Sequence, residues 1–480
     1  MVAGCASPRR VTKLTEDQRA ANLASFDHVW RTVRDKHYDP ELGGIDWEGV
    51  RAELRPRVEA ARSIDEARAV MREMIGRLGE SHFAIIPADV YTAVDAAETS
   101  QAKVDEAPGD GDERSVSRDV RASSSRDRVD DVGADKSAPV ARSDADSDSG
   151  DGDDDEGDVG LDLRVVDGQA LVVRVNDGSP AAVAGVRPGW VLTQIDGRPI
   201  APIIETLSAE YAGSSLRELV LTQAVARRLH GEVGEPIDLV MLDGEDREQT
   251  LTLTRARAPG KRAKLGNMPP IRVECEWRWL RDDIGYIRLS LFFDPPMVMR
   301  KLNQALSEMR DARGVIFDLR GNGGGIGAMA MGISGLFVRE RGRKLGTMIT
   351  RDNELKFAVF ARPTAYQGPL AILVDGASAS TSEIFAGGMQ ALGRARVFGT
   401  PTAGAALPSI IERLPNGDGF QYAFANYVSE DGTRLEGHGV VPDEAAPPNR
   451  ADLLAGRDPA IEAAIRWIPT YPSCRSDRIH

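Results

Sequence analysis

The sequence predicts an α+β multidomain protein with an N-terminal helical unit, a β-rich domain and an α/β core. Three observations carry this prediction. Capped, helix-periodic segments run from Leu14 to about Leu78; short alternating strands between Gly and Asp turns fill residues 159–257; strand–turn–helix units recur through 258–470. At 480 residues, 41% of them hydrophobic, the chain is long enough for two or three separately cored domains.

The helical unit spans residues 14–97. Thr15-x-x-Gln18 is a capping box with Leu14 placed as a hydrophobic staple, and Leu23, Phe26, Trp30 and Val33 then recur at helical spacing. Ser63-x-x-Glu66 opens another helix, with Val70, Met74, Ile75 and Leu78 on one face and Gly79 as its stop. That helix delivers Glu80-Ser81-His82 to a loop. Residues 98–158 follow as an acidic linker whose Asp, Ser, Gly and Arg bury too little apolar surface to offset chain entropy, so disorder is expected. A calcium loop there fails on register: after Asp144, Asp146 and Asp148 the glycine falls at Gly150, one place late.

In the β-rich domain, strands are expected at Leu161–Leu163, Ala170–Val175, Ile237–Met241 and Leu251–Thr254. The run Gly160-Leu-Asp-Leu163, Gly178-Ser-Pro-Ala-Ala-Val-Ala-Gly185, Pro188-Gly189 and Ile195-Asp-Gly197 resembles a PDZ domain, with a Leu-rich helical insertion around Pro202–His230 as a departure. The resemblance implies peptide binding by strand addition, with the backbone of Gly160, Leu161, Asp162 and Leu163 receiving a terminal carboxylate.

In the core, the apolar strand Gly314–Leu319 leads into the glycine loop Arg320-Gly-Asn-Gly-Gly-Gly325. The strand Leu370–Val374 leads into Gly376-Ala-Ser-Ala-Ser380-Thr-Ser-Glu383 and a helix. Chemistry is expected at the carboxyl ends of these strands. Ser380 at the first turn of a helix reads either as a cap or as a nucleophile beside free N–H groups; the glycine loop lacks the lysine of a phosphate-binding loop. Glu383 is expected to cap its own helix.

Taken together, Asp318-Leu-Arg-Gly-Asn-Gly-Gly-Gly325 and Ser378-Ala-Ser-Thr-Ser-Glu383 resemble the signature of the carboxyl-terminal processing (tail-specific) serine peptidases. The resemblance implies a crotonase-like (ClpP/crotonase-type) core over 258–470, with Ser380 as nucleophile and the N–H groups of Gly324 and Thr381 as oxyanion hole. Common members take a lysine base from a Thr-x-Gly-Lys-Gly string; here the string reads Thr402-Ala-Gly-Ala-Ala406, so that base is missing. The tricorn-protease-core branch resembles the chain further. It implies His82 as general base, Ser81 as its orienting partner and Glu436, in Leu435-Glu-Gly-His-Gly-Val-Val-Pro-Asp443, as the supporting carboxylate. His438 is a rival base. The expected activity is a serine endopeptidase cleaving unfolded or tagged polypeptides near their C-termini. The alternative is an inactive relative that binds peptide C-termini.

Other classes are disfavoured. The chain has 74 acidic against 60 basic residues, a net charge of −14, which argues against nucleic acid. Its cysteines (Cys5, Cys275, Cys474) and six histidines form no metal pattern, so no metal or cofactor is expected. No apolar run approaches the roughly 20 residues of a membrane span. Val2-Ala-Gly-Cys5 resembles a lipobox, which implies a lipid on Cys5, membrane attachment and a place in the bacterial cell envelope or periplasm. A cytoplasmic location follows if the match is accidental. On the lipobox reading residues 1–13 are a signal remnant; residues 471–480 form a tail.

Overall fold

A computed structural model describes residues 14–88, 156–264, 270–281 and 283–468. Cys5, Cys474, the tail 471–480 and nearly all of the acidic linker lie outside the described residues. A strand, Glu156–Asp158, begins within the last positions assigned to that linker and pairs with Ala256–Arg257 and Gly231–Glu232.

The helical segment holds three helices. Thr15 caps Glu16–Lys36 with both halves of its capping box, Asp46 caps Trp47–Glu59, and Ser63 caps Ile64–Gly76 by accepting the Glu66 N–H. The last helix stops at Gly76, three residues before the expected Gly79; a tightened turn carries the chain on, and Gly79 takes φ +65° to leave it. Phe26, Val29, Trp30, Leu54, Met71 and Met74 pack together, but this core does not close on itself. Leu414, Phe420 and Tyr422, from the hairpin Ser409–Arg413/Gly419–Ala423, complete it. The strand Ala84–Ile86 pairs antiparallel with Gly419–Ala423, and buried Arg68 grips buried Asp418 at 2.7 Å. The loop carrying Ser81 and His82 is thus held between a helix end and a strand, each fastened to the C-terminal half of the chain.

Residues 161–254 form an antiparallel sheet in the order Leu161–Val166, Gln169–Val175, Val191–Ile195, Pro236–Leu242, Glu248–Thr254. The stretch expected to be an insertion folds as two helices, Ala201–Glu210 and Arg217–Ala226. The second packs Leu221 and Val225 against Leu161 and Leu163 of the edge strand, so it belongs to the body of this domain.

The core sheet runs Cys275–Arg281, Ile284–Leu289, Gly314–Asp318, Leu370–Val374, Arg396–Gly399, Glu444–Ala445; only its first pair is antiparallel. Its central strands are apolar runs because both faces are covered. Val315, Phe317, Ile372 and Val374 meet Leu302, Ile333, Phe385 and Met389 on one side. Ile316, Ala371 and Leu373 meet Ala463, Ala464 and Ile465 on the other. The glycine loop and the Ser380 turn therefore leave the carboxyl ends of adjacent parallel strands.

Candidate active site

The nucleophile candidate sits where the strand Leu370–Val374 turns into the helix Thr381–Ala391. Asp375 organises that turn: its Oδ1 accepts the N–H groups of Gly321 and Ala377, and its Oδ2 accepts the buried Arg164 guanidinium at 2.6 Å. The three serines then divide. Ser378 and Ser382 are fully buried and donate their hydroxyls to the carbonyls of Leu319 and Asn322. Ser380 lies between them, partly exposed, at φ +57° and ψ −117°, a conformation that strains any residue with a side chain. Its N–H donates to Ala405 O (2.8 Å) and Glu383 Oε2 (2.9 Å), which fixes the backbone and leaves the hydroxyl to project.

The glycine loop lies against this turn. A side chain at Gly324 would meet Ser380 Cβ at 2.6 Å and Thr381 N at 2.9 Å, so only glycine fits. The Thr381 N–H, first in its helix, donates to no protein group among the described residues. Gly324 differs from the expectation of a free donor: its N–H donates to Asn322 Oδ1 at 2.9 Å. Asn322, itself fully buried, holds the loop closed by donating to Leu289 O.

Ser81, His82 and Glu436 converge. Glu436 Oε1 accepts the Ser81 N–H (2.8 Å), and Oε2 accepts the Ser81 hydroxyl (2.9 Å) and the Ala406 N–H (2.9 Å). The Ser81 oxygen lies 2.7 Å from His82 Nδ1. Ser81 has one proton and gives it to Glu436, so His82 Nδ1 carries the hydrogen of that last bond. The Nε2 lone pair is then free to accept a proton. Burial pushes the His82 imidazole down to about 4, which keeps it neutral at pH 7. Burial also raises Glu436, against the three hydrogen bonds it accepts. Ser380 and His82 share no hydrogen bond in this structure. What links them is the loop 402–406, because Ala405 accepts from Ser380 while its neighbour Ala406 donates to Glu436.

Around the relay, Glu80 accepts from Tyr38 and bonds the buried His37 at 2.9 Å, while Arg434 reaches Tyr38 Oη at 3.1 Å. The rival base His438 is exposed, with Nδ1 on the Glu436 carbonyl at 3.0 Å. Glu383 caps its helix as expected. Its further contacts with Thr402, Gly404 and Ala405, the pairing of Arg164 with Asp375 and the side chain of Asn322 were not read from sequence. Asp375 alone had a readable signal, as an acid at the carboxyl end of a core strand.

At the edge strand Leu161–Val166, Gly160 is not a free donor: its N–H donates to Asp158 at 2.7 Å. Asp162 pairs with Arg174 and Arg288, and these cations hold its carboxyl well below the usual range. Leu161 and Leu163 are buried.

A strained serine at a strand-to-helix turn, a histidine oriented through a serine–glutamate pair and a helix N-terminus together are the parts of an acyl-transfer site. Residues 283–446 match the model of peptidase family S41, and residues 19–76 match that of the tricorn protease C1 domain. Over these residues the chain is similar to peptidase family S41 and to tricorn protease, and its relatives include carboxyl-terminal processing proteases and tricorn homologues. It is 28% identical to a carboxy-terminal-processing protease of Bartonella bacilliformis over 60% of this chain and 60% of that one. It is 24% identical to a protein of Streptomyces coelicolor named as a tricorn protease homolog, over 94% of this chain and 32% of that one. The chain thus spans less than two thirds of the length of either relative. The solved photosystem II D1 C-terminal processing protease shares the fold, with a TM-score of 0.52 at 19% identity, covering 93% of this chain and all of that one.

Proposed function

We propose that this chain is a serine endopeptidase acting near the C-termini of unfolded or tagged polypeptides. The observation that carries the reading is the His82–Ser81–Glu436 relay, which supplies a neutral base where the lysine-bearing string is interrupted by Ala405. In the first half-reaction the Ser380 oxygen attacks the scissile carbonyl and its proton passes to His82 Nε2. The resulting imidazolium is stabilised through Ser81 by Glu436. The oxyanion faces the Thr381 N–H and the positive end of its helix; Gly324 becomes the second donor once its N–H turns from Asn322. The amine leaves with the proton from His82, and water, deprotonated by the same nitrogen, releases the acyl group from Ser380.

On this reading residues 159–257 are a PDZ domain, and residues 258–470 form a crotonase-type core. A substrate C-terminus would add to the free edge of Leu161–Val166, with Arg217–Ala226 as the opposite wall. Leu161, Leu163, Leu221 and Val225 now fill that space, so the helix must move aside to admit a strand. A lipid on Cys5 would place the enzyme at the cell envelope. The inactive reading rested on the missing lysine, and the relay removes that motive.

The test is hydrolysis of casein and of a peptide with a free apolar C-terminus. Native protein should cleave both, and Ser380→Ala and His82→Ala should not. Equal turnover by either variant would refute the assignment.

A further inference from the structure

Glu383 is fully buried, and its carboxyl meets four donors. Oε1 accepts the Thr402 hydroxyl (2.6 Å) and the Gly404 N–H (2.8 Å). Oε2 accepts the Ala405 N–H (2.9 Å) and the Ser380 N–H (2.9 Å). No cation pairs with it among the described residues. A helix cap needs only one of these bonds, and an exposed carboxylate would serve for that. Burying a carboxylate without a counter-ion is costly, so these contacts must do more than end a helix.

The donors come from the two strands of chain that the proposed reaction must keep in register. One is the nucleophile's own N–H, held where the backbone is left-handed. The others belong to loop 402–405, whose next residue, Ala406, donates to Glu436. The same loop is tied to the Glu436 segment by Gly437 N–H to Gly404 O (2.8 Å) and by Val440 N–H to Thr402 Oγ1 (2.6 Å). A continuous path therefore runs from Ser380 through Glu383, loop 402–406 and Glu436 to Ser81 and His82.

Resting on the serine-peptidase reading, we propose that Glu383 is a positioning residue: its carboxylate holds Ser380 in the left-handed turn and sets its register against the base relay. Only the ionised form accepts from all four donors, because a proton on either oxygen turns an acceptor into a donor facing N–H groups. Burial raises the Glu383 carboxyl to about 7. No charged side chain bonds it. The ionisable groups on the surrounding segments are Glu436 and His438 beyond loop 402–406, His82 beyond Glu436, Asp375 at the start of the Ser380 turn, and Arg217 and Glu218 on the helix packed against that turn and loop. The staple thus loosens as pH falls through about 7, well above the range in which His82 takes up a proton.

The experiment compares native protein, Glu383→Gln and the milder Thr402→Val in peptide hydrolysis from pH 4.5 to 9, together with amide hydrogen exchange at Ser380, Gly404 and Ala405. Glu383→Gln keeps the shape but presents an N–H₂ to some of the donors. We expect kcat to drop roughly 100-fold with KM unchanged, the native acid limb near pH 7 to move toward the His82 limb, and exchange at the three amides to quicken. Thr402→Val should move each quantity the same way by less. Unchanged kcat, limb and exchange in Glu383→Gln would overturn the proposal. An inactive native protein would instead defeat the peptidase reading. Amide exchange would then decide the staple alone: faster exchange in the variant supports it, and equal exchange sinks it.

Discussion

Three serines separated by single residues look alike in sequence, and their surroundings tell them apart. Ser378 and Ser382 are consumed by buried carbonyls, whereas Ser380 is pinned by its N–H and donates its hydroxyl to no group among the described residues. Ser378→Ala should leave the reactive serine at Ser380 while costing about 1–3 kcal/mol of stability, because it orphans the buried Asp375 N–H and leaves the Leu319 carbonyl with the Asn322 N–H alone. Thermal denaturation and probe labelling separate the two effects. Ser81→Ala removes the group that fixes the His82 tautomer; kcat should fall about 100-fold or more with KM little changed. His82 also carries a stability signature. Its folded value, about 4, lies below its unfolded value near 6.5, so between those limits the unfolded chain binds more protons and stability falls as pH falls. His82→Gln should remove that component, read as a smaller loss of urea midpoint between pH 7 and 4.5 than in native protein. At this scale the motif strings made Ser380, Ser81, His82 and Glu436 legible. The four-fold use of Glu383 was not, because its partners lie across a loop that has no pattern of its own.

At the scale of elements, His82, the proposed base, arrives on a segment fastened by a strand and one buried ion pair. Arg68 holds Asp418 with Nε and Nη2, and Asp418 also accepts the Ala88 N–H and the Asn416 side chain. Arg68→Ala would leave a fully buried carboxylate without its cation, at a cost of about 3–5 kcal/mol. The expected readout is a large fall in the urea midpoint, with faster amide exchange across Ala84–Ile86. The caps Thr15 and Ser63 and the apolar strands Gly314–Asp318 and Leu370–Val374 were legible because local chemistry dictates them. The pairing of Ala84–Ile86 with Gly419–Ala423 was not, since a three-residue strand has no period and its partner lies more than three hundred residues away. The helix Arg217–Ala226 was legible only in part for a related reason: its apolar residues announce a helix but not the sheet edge they cover.

At the scale of the whole molecule, the sheet domain touches the Ser380 turn directly. Arg164, on the edge strand, reaches Asp375, and Glu218, on the covering helix, accepts the Gly376 N–H and is pushed up to about 7 by burial and by the Asp375 charge. A double-mutant cycle with Arg164→Leu and Asp375→Asn should show a coupling of about 0.5–3 kcal/mol in stability, and additivity would mean that the pair is incidental. The central claim concerns a shorter path: Ser380 is a nucleophile whose base is His82, supplied by a loop almost three hundred residues earlier in the chain. The most direct measurement is the rate of fluorophosphonate labelling at pH 7.5, with the modified residue mapped by mass spectrometry, in native protein and His82→Ala. The account predicts a single adduct on Ser380, formed at least about 100-fold more slowly in the variant. An adduct elsewhere, no adduct on native protein, or equal rates in the two proteins would contradict it.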